Sequence, residues 1–347
     1  MSSENRVGWC LLAVLLSLTS LSAQVVTGAI SGRVTDNTGA VIPGAKVQVE
    51  NIETGLMRNT ESDAAGRFEF RNLPAGAYTV TVQQSGFRTG IRSGITLSVG
   101  SEVVVNLELS VGVVSEKVEV TGEAPAIETT TATLSGLVNP AQMRDLPLNG
   151  RSIDQLALLT PGVVNQTTQA TNSTLTGEGK RLVINGARPT QVLYLLDGSV
   201  VSDYSSAGPG GASTESLGVE AIREFRILTH SFSAEYGRNA IGGVFSAITR
   251  SGTNDFHGSA YEFVRNNIFD ARNFFNISHA PAASPLPPFK RNQFGASFGG
   301  RLVRDKIFFF VNYEGLRQRQ EIPLLSTVPD DDARRSEERR VGKECRL

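Results

Sequence analysis

The sequence predicts a multidomain, mainly β chain: a small β-sandwich, then a mixed α/β unit, then the first strands of a transmembrane β-barrel. Three observations lead there. Period-two alternation recurs through residues 25 to 110 with turn clusters between the runs, patterning is mixed from 134 to about 250, and from His257 the alternation lengthens to that of membrane strands. Composition agrees. The 347 residues suffice for two or three domains, and 35 Gly with only 3 Met and 2 Cys favour turn-dense β architecture over helical bundles. A formal net charge of −1 gives no footing for nucleic acid. Cys10 and Cys345 stand at opposite ends, so neither a disulfide framework nor a cysteine metal site is indicated.

At the start, Arg6 precedes the apolar run Val7 to Leu21, which ends in Ser22-Ala23-Gln24. The run has 15 residues, short of the roughly 20 that span a bilayer, so residues 1–23 read as a cleaved secretory signal, with a retained anchor as the alternative. No other apolar run approaches helix-spanning length. A membrane position for the mature chain therefore requires a barrel.

Residues 24–110 form the sandwich. Ile30, Gly32 and Val34 alternate, as do Ala45, Val47 and Val49, then Phe68 and Phe70, then Tyr78, Val80 and Val82, then Ile95, Leu97 and Val99, then Val103, Val105, Leu107 and Leu109. Turns are expected at Asn37-Thr38-Gly39, Asp63 to Gly66, Pro74-Ala75-Gly76 and Ser85-Gly86. The wording ISGRVTDNTGAVIPGAKVQVENIETG and DAAGRFEFRNLPAGAYTVTVQQSGF resembles the carboxypeptidase-regulatory-like, transthyretin-type module. That resemblance implies an accessory domain without catalysis. Similar sandwiches bind starch, but of the aromatics that could stack on sugars, Phe68, Phe70 and Tyr78 fall at core-facing positions and only Phe87 does not.

Residues 111–133 read as an extended linker, with Pro125 and the threonines of ETTTATLS opposing regular structure. A short β-prone segment inside it suits capture by strand addition. Val118, Glu119, Val120 and Thr121 resemble, in this position, the box by which TonB grips its receptors. The second reading makes Val118 to Val120 the last edge strand of the sandwich.

In residues 134–255, Pro140 to Leu146 and Ser152 to Leu159 read as short helices, the second capped by Ser152. Strands are expected at Arg181 to Asn185, Val192 to Leu196, Phe225 to Leu228 and Gly243 to Thr249, with a turn at Asp197-Gly198 and a helix at Glu220 to Glu224. The wording DLPLNGRSIDQLALLTPGVV, LVINGARPTQVLYLLDG, GVEAIREFRI and SAEYGRNAIGGVFSAITRSGTNDFHG resembles the plug domain of TonB-dependent receptors, specifically their Oar-like branch. Within these motifs Asn149-Gly150-Arg151 and Arg188 suggest an arginine clamp between plug and barrel carboxylates, or solvated turns, while Asp197-Gly198 suggests a turn or a buried carboxylate. Gly177 to Lys180 fails as a phosphate loop, and the Gly-rich stretch after Gly208 lacks its strand-to-helix context. His230, His257 and His279 are not at ligand spacing, and no catalytic set is recognisable.

Residues 256–325 read as barrel. Ser259, Tyr261 and Phe263 share a face; Phe294, Ala296 and Phe298 alternate; Arg304-Asp305 turns into a strand with Ile307, Phe309, Val311 and Tyr313 on one side. A plugged transporter barrel holds about 22 strands, and only three or four fit before residue 325. Residues 326–347 break the pattern, with RRSEERRVGKECRL carrying six basic and three acidic residues, and read as an anomalous tail on a truncated frame.

The resemblances imply a non-enzymatic receptor of the outer membrane, exported through its signal, without cofactor or metal. Its expected partners are TonB with the inner-membrane energising complex, an unknown extracellular ligand and outer-membrane lipid. The competing expectation is a secreted or surface carbohydrate-binding or adhesive protein whose sandwich does the work.

Overall fold

The computed structural model describes residues 27–112, 117–121, 132–146, 148, 151, 153–166, 181–202, 217–230, 236–237, 240–271 and 288–320. The expected leader 1–23, Asn149, Gly150, Ser152, residues 177–180, the Gly-rich stretch from 208 and the charged end 326–347 lie outside them. The chain divides into two compact units, residues 1–260 with 295–314 and residues 261–294 with 315–347.

The first unit begins with the sandwich. One sheet contains β1 (Gly28–Asp36), β4 (Arg67–Leu73), β7 (Glu102–Val104) and β8 (Leu107–Leu109); β1 is antiparallel to β4 and parallel to β7 and β8. The other runs β3 (Met57–Glu61), β2 (Lys46–Asn51), β5 (Gly76–Gln83), β6 (Thr89–Leu97) and β9 (Lys117–Thr121) in that order. Alternate residues of both sheets enter one core, with Ile30, Val34, Phe68 and Phe70 meeting Val47, Val49, Tyr78, Val80, Ile95 and Leu97. Tyr78 is fully enclosed and its hydroxyl donates to the Pro74 carbonyl at 2.7 Å, so its polar end is satisfied.

Two departures from the sequence pattern have local causes. The expected strand Val103 to Leu109 is interrupted because the Asn106 side chain accepts from the Arg33 amide at 3.0 Å, and β1 changes partner there from β7 to β8. Strand β3 is absent from the sequence expectation. All but one of its residues are exposed, so no buried face imposes alternation on MRNTE. Of the two readings of residues 117–121, the edge strand is the one the fold adopts, with Lys117 to Thr121 parallel to Thr89 to Ser93 of β6. Backbone groups in a β-prone segment find partners on an open sheet edge.

A second core follows. Its sheet runs β10 (Leu134–Val138), β15 (Ile222–His230), β16 (Gly243–Thr249), β13 (Val192–Leu196) and β14 (Ser199–Val200), with β13 and β16 parallel and the other pairs antiparallel. Beside it pair β11 (Val163–Gln166) and β12 (Arg181–Ile184). Helix α1 (Pro140–Asp145) starts as its sequence dictates. Asn139 and Gln142 form a reciprocal capping box, and Pro140 occupies the first turn. Helix α2 (Asp154–Ala157) is shorter than expected, and its N-cap is Ile153, which makes no side-chain cap.

The expected helix at Glu220 to Glu224 is a correction. Residues 219–221 turn, and β15 begins at Ile222 with a bulge: Ile222 faces Thr249 while Glu224 faces Ile248, leaving Arg223 as the extra residue. The bulge breaks period two and mimics helical spacing. Beyond it the strand alternates strictly. Phe225 and Ile227 join Tyr194, Phe245, Leu156 and Ile184 in the second core, while Leu228 packs with Leu193 and Val244 on the other sheet face.

Strands β17 (His257–Asn266), β18 (Phe289–Val303) and β19 (Ile307–Gln320) are hydrogen-bonded in that order. In β19 Val311 and Tyr313 are exposed while Asn312 and Glu314 are half-buried, the reverse of a soluble sheet and the pattern of a lipid-facing one. Within the second compact unit, Arg265 pairs with Asp270 at 3.0 Å, and the Arg265 and Arg291 guanidinium groups lie 5.0 and 5.2 Å from the Phe289 ring centre.

Phe225 is completely buried and stacks on Phe245 with ring centres 4.8 Å apart. Its replacement by alanine leaves a cavity in a sheet centre, and the expected cost is about 3–5 kcal/mol. Urea unfolding of Phe225→Ala followed by circular dichroism checks this, and a loss below about 1 kcal/mol contradicts the packing described.

Candidate functional site

Charged side chains on β15 carry the connections of the first unit. Because Phe225 and Ile227 point into the second core, Glu224 and Arg226 point to the opposite face, where both are buried. There they meet the loop between β6 and β7. Ser101 braces that loop by donating to the Ser98 carbonyl at 2.7 Å, and Gly100 supplies the left-handed residue it needs with φ +61°. The Val99 amide donates to the Glu224 carboxylate, and the Arg226 Nη1 group donates to the Gly100 carbonyl at 2.6 Å and the Val99 carbonyl at 3.3 Å. Val99 itself is buried against Ala75 and Ile248. At the edge of this contact Arg223 forms a two-pronged ion pair with Glu53 at 2.9 and 3.1 Å.

Glu220 is a second hub. Its carboxylate accepts from Arg151 Nη2 at 3.1 Å and from the Ser259 hydroxyl at 3.1 Å, and Arg250 Nη1 stands 3.5 Å away. Arg151 and Glu220 are each about a tenth exposed at the side chain, so the pair is effectively desolvated (11% and 10%). Burial pulls the Arg250 guanidinium below its ordinary pKa and Glu220 opposes the change. Ser259 lies on β17, and its hydroxyl also meets Ser297 of β18 at 2.9 Å. The cluster thus joins the α/β unit to the first alternating strands.

The third connection is the turn at residues 251–255. The Asn254 amide donates to the Glu53 carbonyl at 2.8 Å, its side chain donates to Asp305 Oδ1 and accepts from the Asp305 amide, and its carbonyl accepts from Arg301. Gly252 sits against the Gly300 and Phe309 carbonyls with no room for a Cβ. One turn, directly after β16, thereby contacts both the sandwich and the β18–β19 hairpin.

Of the residues singled out from sequence, Arg151 enters the Glu220 cluster. The carboxylate it meets belongs to its own α/β unit, and the contribution from the barrel strands is the Ser259 hydroxyl. Asn149 and Gly150 lie outside the described residues. Arg188 is exposed, its amide bonded to Gln191 Oε1 at the start of the 3-10 turn Pro189–Gln191. Asp197 and Gly198 form the tight turn between β13 and β14, with φ of +49° and +79°. The Asp197 carboxylate also accepts from the Thr249 amide and hydroxyl, both at 2.8 Å, so it pins the end of β16. Val118, Glu119, Val120 and Thr121 lie in β9, the last strand in its sheet order. Sequence reasoning missed Glu220, Glu224, Arg226 and Asn254. Their signal was charge inside an apolar strand, EFRI, and an Asn in the turn SGTND.

Family models match in chain order: the carboxypeptidase regulatory-like domain over residues 29–110, the TonB-dependent receptor plug domain over 126–244 and an outer membrane beta barrel domain over 248–343. The chain carries the plug domain of TonB-dependent receptors. The TonB-dependent transporter Oar of Myxococcus xanthus is 27% identical over 302 residues, 84% of this chain and 27% of Oar. The ferrienterobactin receptor of Escherichia coli strain K12 is 30% identical over 144 residues, 40% of this chain and 18% of that receptor. The structure of the siderophore receptor PirA from Acinetobacter baumannii aligns at 24% identity and TM-score 0.39, over 54% of this chain and 25% of PirA. The chain therefore spans about a quarter or less of the length of these curated relatives. The barrel match reaches into the charged end that patterning had set apart, and the plug and barrel domains together place the chain in the outer membrane. The competing carbohydrate-binding reading is not favoured, since Tyr78, Phe68 and Phe70 are buried in the sandwich core and Phe87 packs against it.

Burial raises the Glu224 carboxyl above its ordinary pKa, against the lowering influence of the Val99 amide, Arg223 and Arg226. The folded state then holds this proton more tightly than the unfolded chain. The associated stability is full below the ordinary carboxyl pKa and is lost as pH rises through the raised value. Glu224→Gln removes that component while keeping an oxygen for the Val99 amide. Its unfolding free energy, measured by denaturant between about pH 4 and 7, is expected to fall less with rising pH than that of the parent chain. Parallel curves contradict the assignment.

Proposed function

We propose that the protein acts in energy-coupled uptake across the outer membrane, the plug closing a barrel until TonB, driven by its inner-membrane complex, remodels it. The observation that carries this reading is continuity. Plug strand β16 passes through the Ser251 to Asp255 turn directly into β17, and the Glu220 cluster and Asn254 fasten gate to wall on both sides of that turn. In this reading residues 1–23 are a removed leader, 24–110 the accessory sandwich, 111–133 the linker, 134–255 the gate and 256–325 the start of the wall. The ligand binds from outside and leaves chemically unchanged, so the protein is a carrier and not an enzyme. Two relatives are named as receptors of ferrienterobactin and of a siderophore, which makes an iron-siderophore complex the first ligand class to test.

Val118 to Thr121 are the proposed handle. Strand addition works through backbone groups, and β9 stands at the end of its sheet order, paired on one side with β6. Proline removes the amide donor such an interaction uses. The chain, folded in detergent and passed over immobilised TonB C-terminal domain, is expected to be retained, and Val118→Pro with Val120→Pro to lower retention at least tenfold. Equal retention of parent and double variant, or none of the parent, contradicts the handle.

A further inference from the structure

The contact between sandwich and plug lies where a pull on the linker would arrive. The linker leads into β10, whose five residues are held to β15 along an edge of the plug sheet. Arg226 of β15 bridges that edge. Its Nε donates to the Ser135 hydroxyl on β10 at 3.0 Å, while its Nη1 donates to the Gly100 and Val99 carbonyls of the sandwich. One guanidinium therefore ties the first strand of the gate to the accessory domain. Glu224 holds the same sandwich loop through the Val99 amide, Ile248 seals the contact against Val99 and Ala75, and Arg223 with Glu53 closes its rim.

We propose that the sandwich is a latch on the plug: while its loop 98–101 is seated on β15, β10 is held in the plug sheet, and release of β10 requires the sandwich to undock. A domain tethered only by a flexible linker would need no buried carboxylate and guanidinium matched to its loop. Here Glu224 and Arg226 are both buried on a face whose polar groups the sandwich backbone satisfies. Undocking breaks the Val99–Glu224 and Gly100–Arg226 hydrogen bonds together and opens the Val99, Ala75 and Ile248 contact, which concentrates the resistance at the strand next to the linker. The role assigned to a pull rests on the uptake reading above; the docking and its grip on β10 do not.

The test uses the full chain in detergent. Arg223→Lys retains the charge and offers an amine, so carbodiimide treatment is expected to join that amine to the Glu53 carboxylate in a zero-length amide cross-link, read by mass spectrometry. Arg223→Glu is expected to speed hydrogen exchange in Leu134 to Val138 about fivefold, the size of effect an ion pair of this exposure supports. Glu53→Arg combined with Arg223→Glu is expected to restore it. An absent cross-link, or β10 exchange that Arg223→Glu leaves unchanged, overturns the latch. Should Arg223→Glu also unprotect Val192 to Leu196, the double variant decides: recovery supports the latch and no recovery overturns it. A chain that fails to bind TonB yet shows this coupling refutes the uptake reading alone.

Discussion

A strand buried on both faces must find partners for every polar group it carries, and β15 imposes that constraint on the rest of the structure. Its apolar residues Phe225 and Ile227 anchor the second core. Its opposite face carries Glu224 and Arg226, which cannot pack against hydrocarbon and cannot reach water. Backbone groups of the sandwich loop complete them. The accessory domain is thereby part of the plug's own hydrogen bonding rather than a neighbour on a tether.

Just before β15, the chain turns through Glu220, and just after β16 it turns through Asn254. Both positions fasten the plug to the strands that follow, the first through the Ser259 hydroxyl and the second by amide and carbonyl groups. Gly252 allows the approach because a side chain there would collide with two carbonyls. Fixed contacts at the exit and the proposed latch at the entrance hold the plug where the chain enters and leaves its sheet. On the proposed uptake reading, a plug so arranged stays shut at rest and yields in a defined order when loaded from the linker.

The sequence exposed what obeys a period. The sandwich strands were readable because one buried face fixes alternate residues, β13 and β16 because they are short apolar runs buried on both faces, the long strands after His257 from their alternating side chains, and the Asp197-Gly198 turn because its two positive φ values suit those residues. What it hid followed from broken or absent periods. Glu220 to Glu224 looked helical because a bulge inserts Arg223. Strand β3 has no buried face to pattern it, and for Lys117 to Thr121 the linker and edge-strand readings stayed open because an edge strand is satisfied by backbone pairing, which no side-chain period records. Arg151 was legible as a clamp residue, but its partner Glu220, 69 positions away, was not, because nothing local to either residue records the pairing.

The proposed latch requires sandwich and plug to move as one body at rest. Pulsed electron resonance between spin labels at Asn37 of the sandwich and Thr190 of the plug, both exposed, measures this directly in the full chain with Cys10 and Cys345 replaced by serine. A single narrow distance distribution is expected, broadened when TonB C-terminal domain is bound under load. A broad distribution in the resting chain would contradict it.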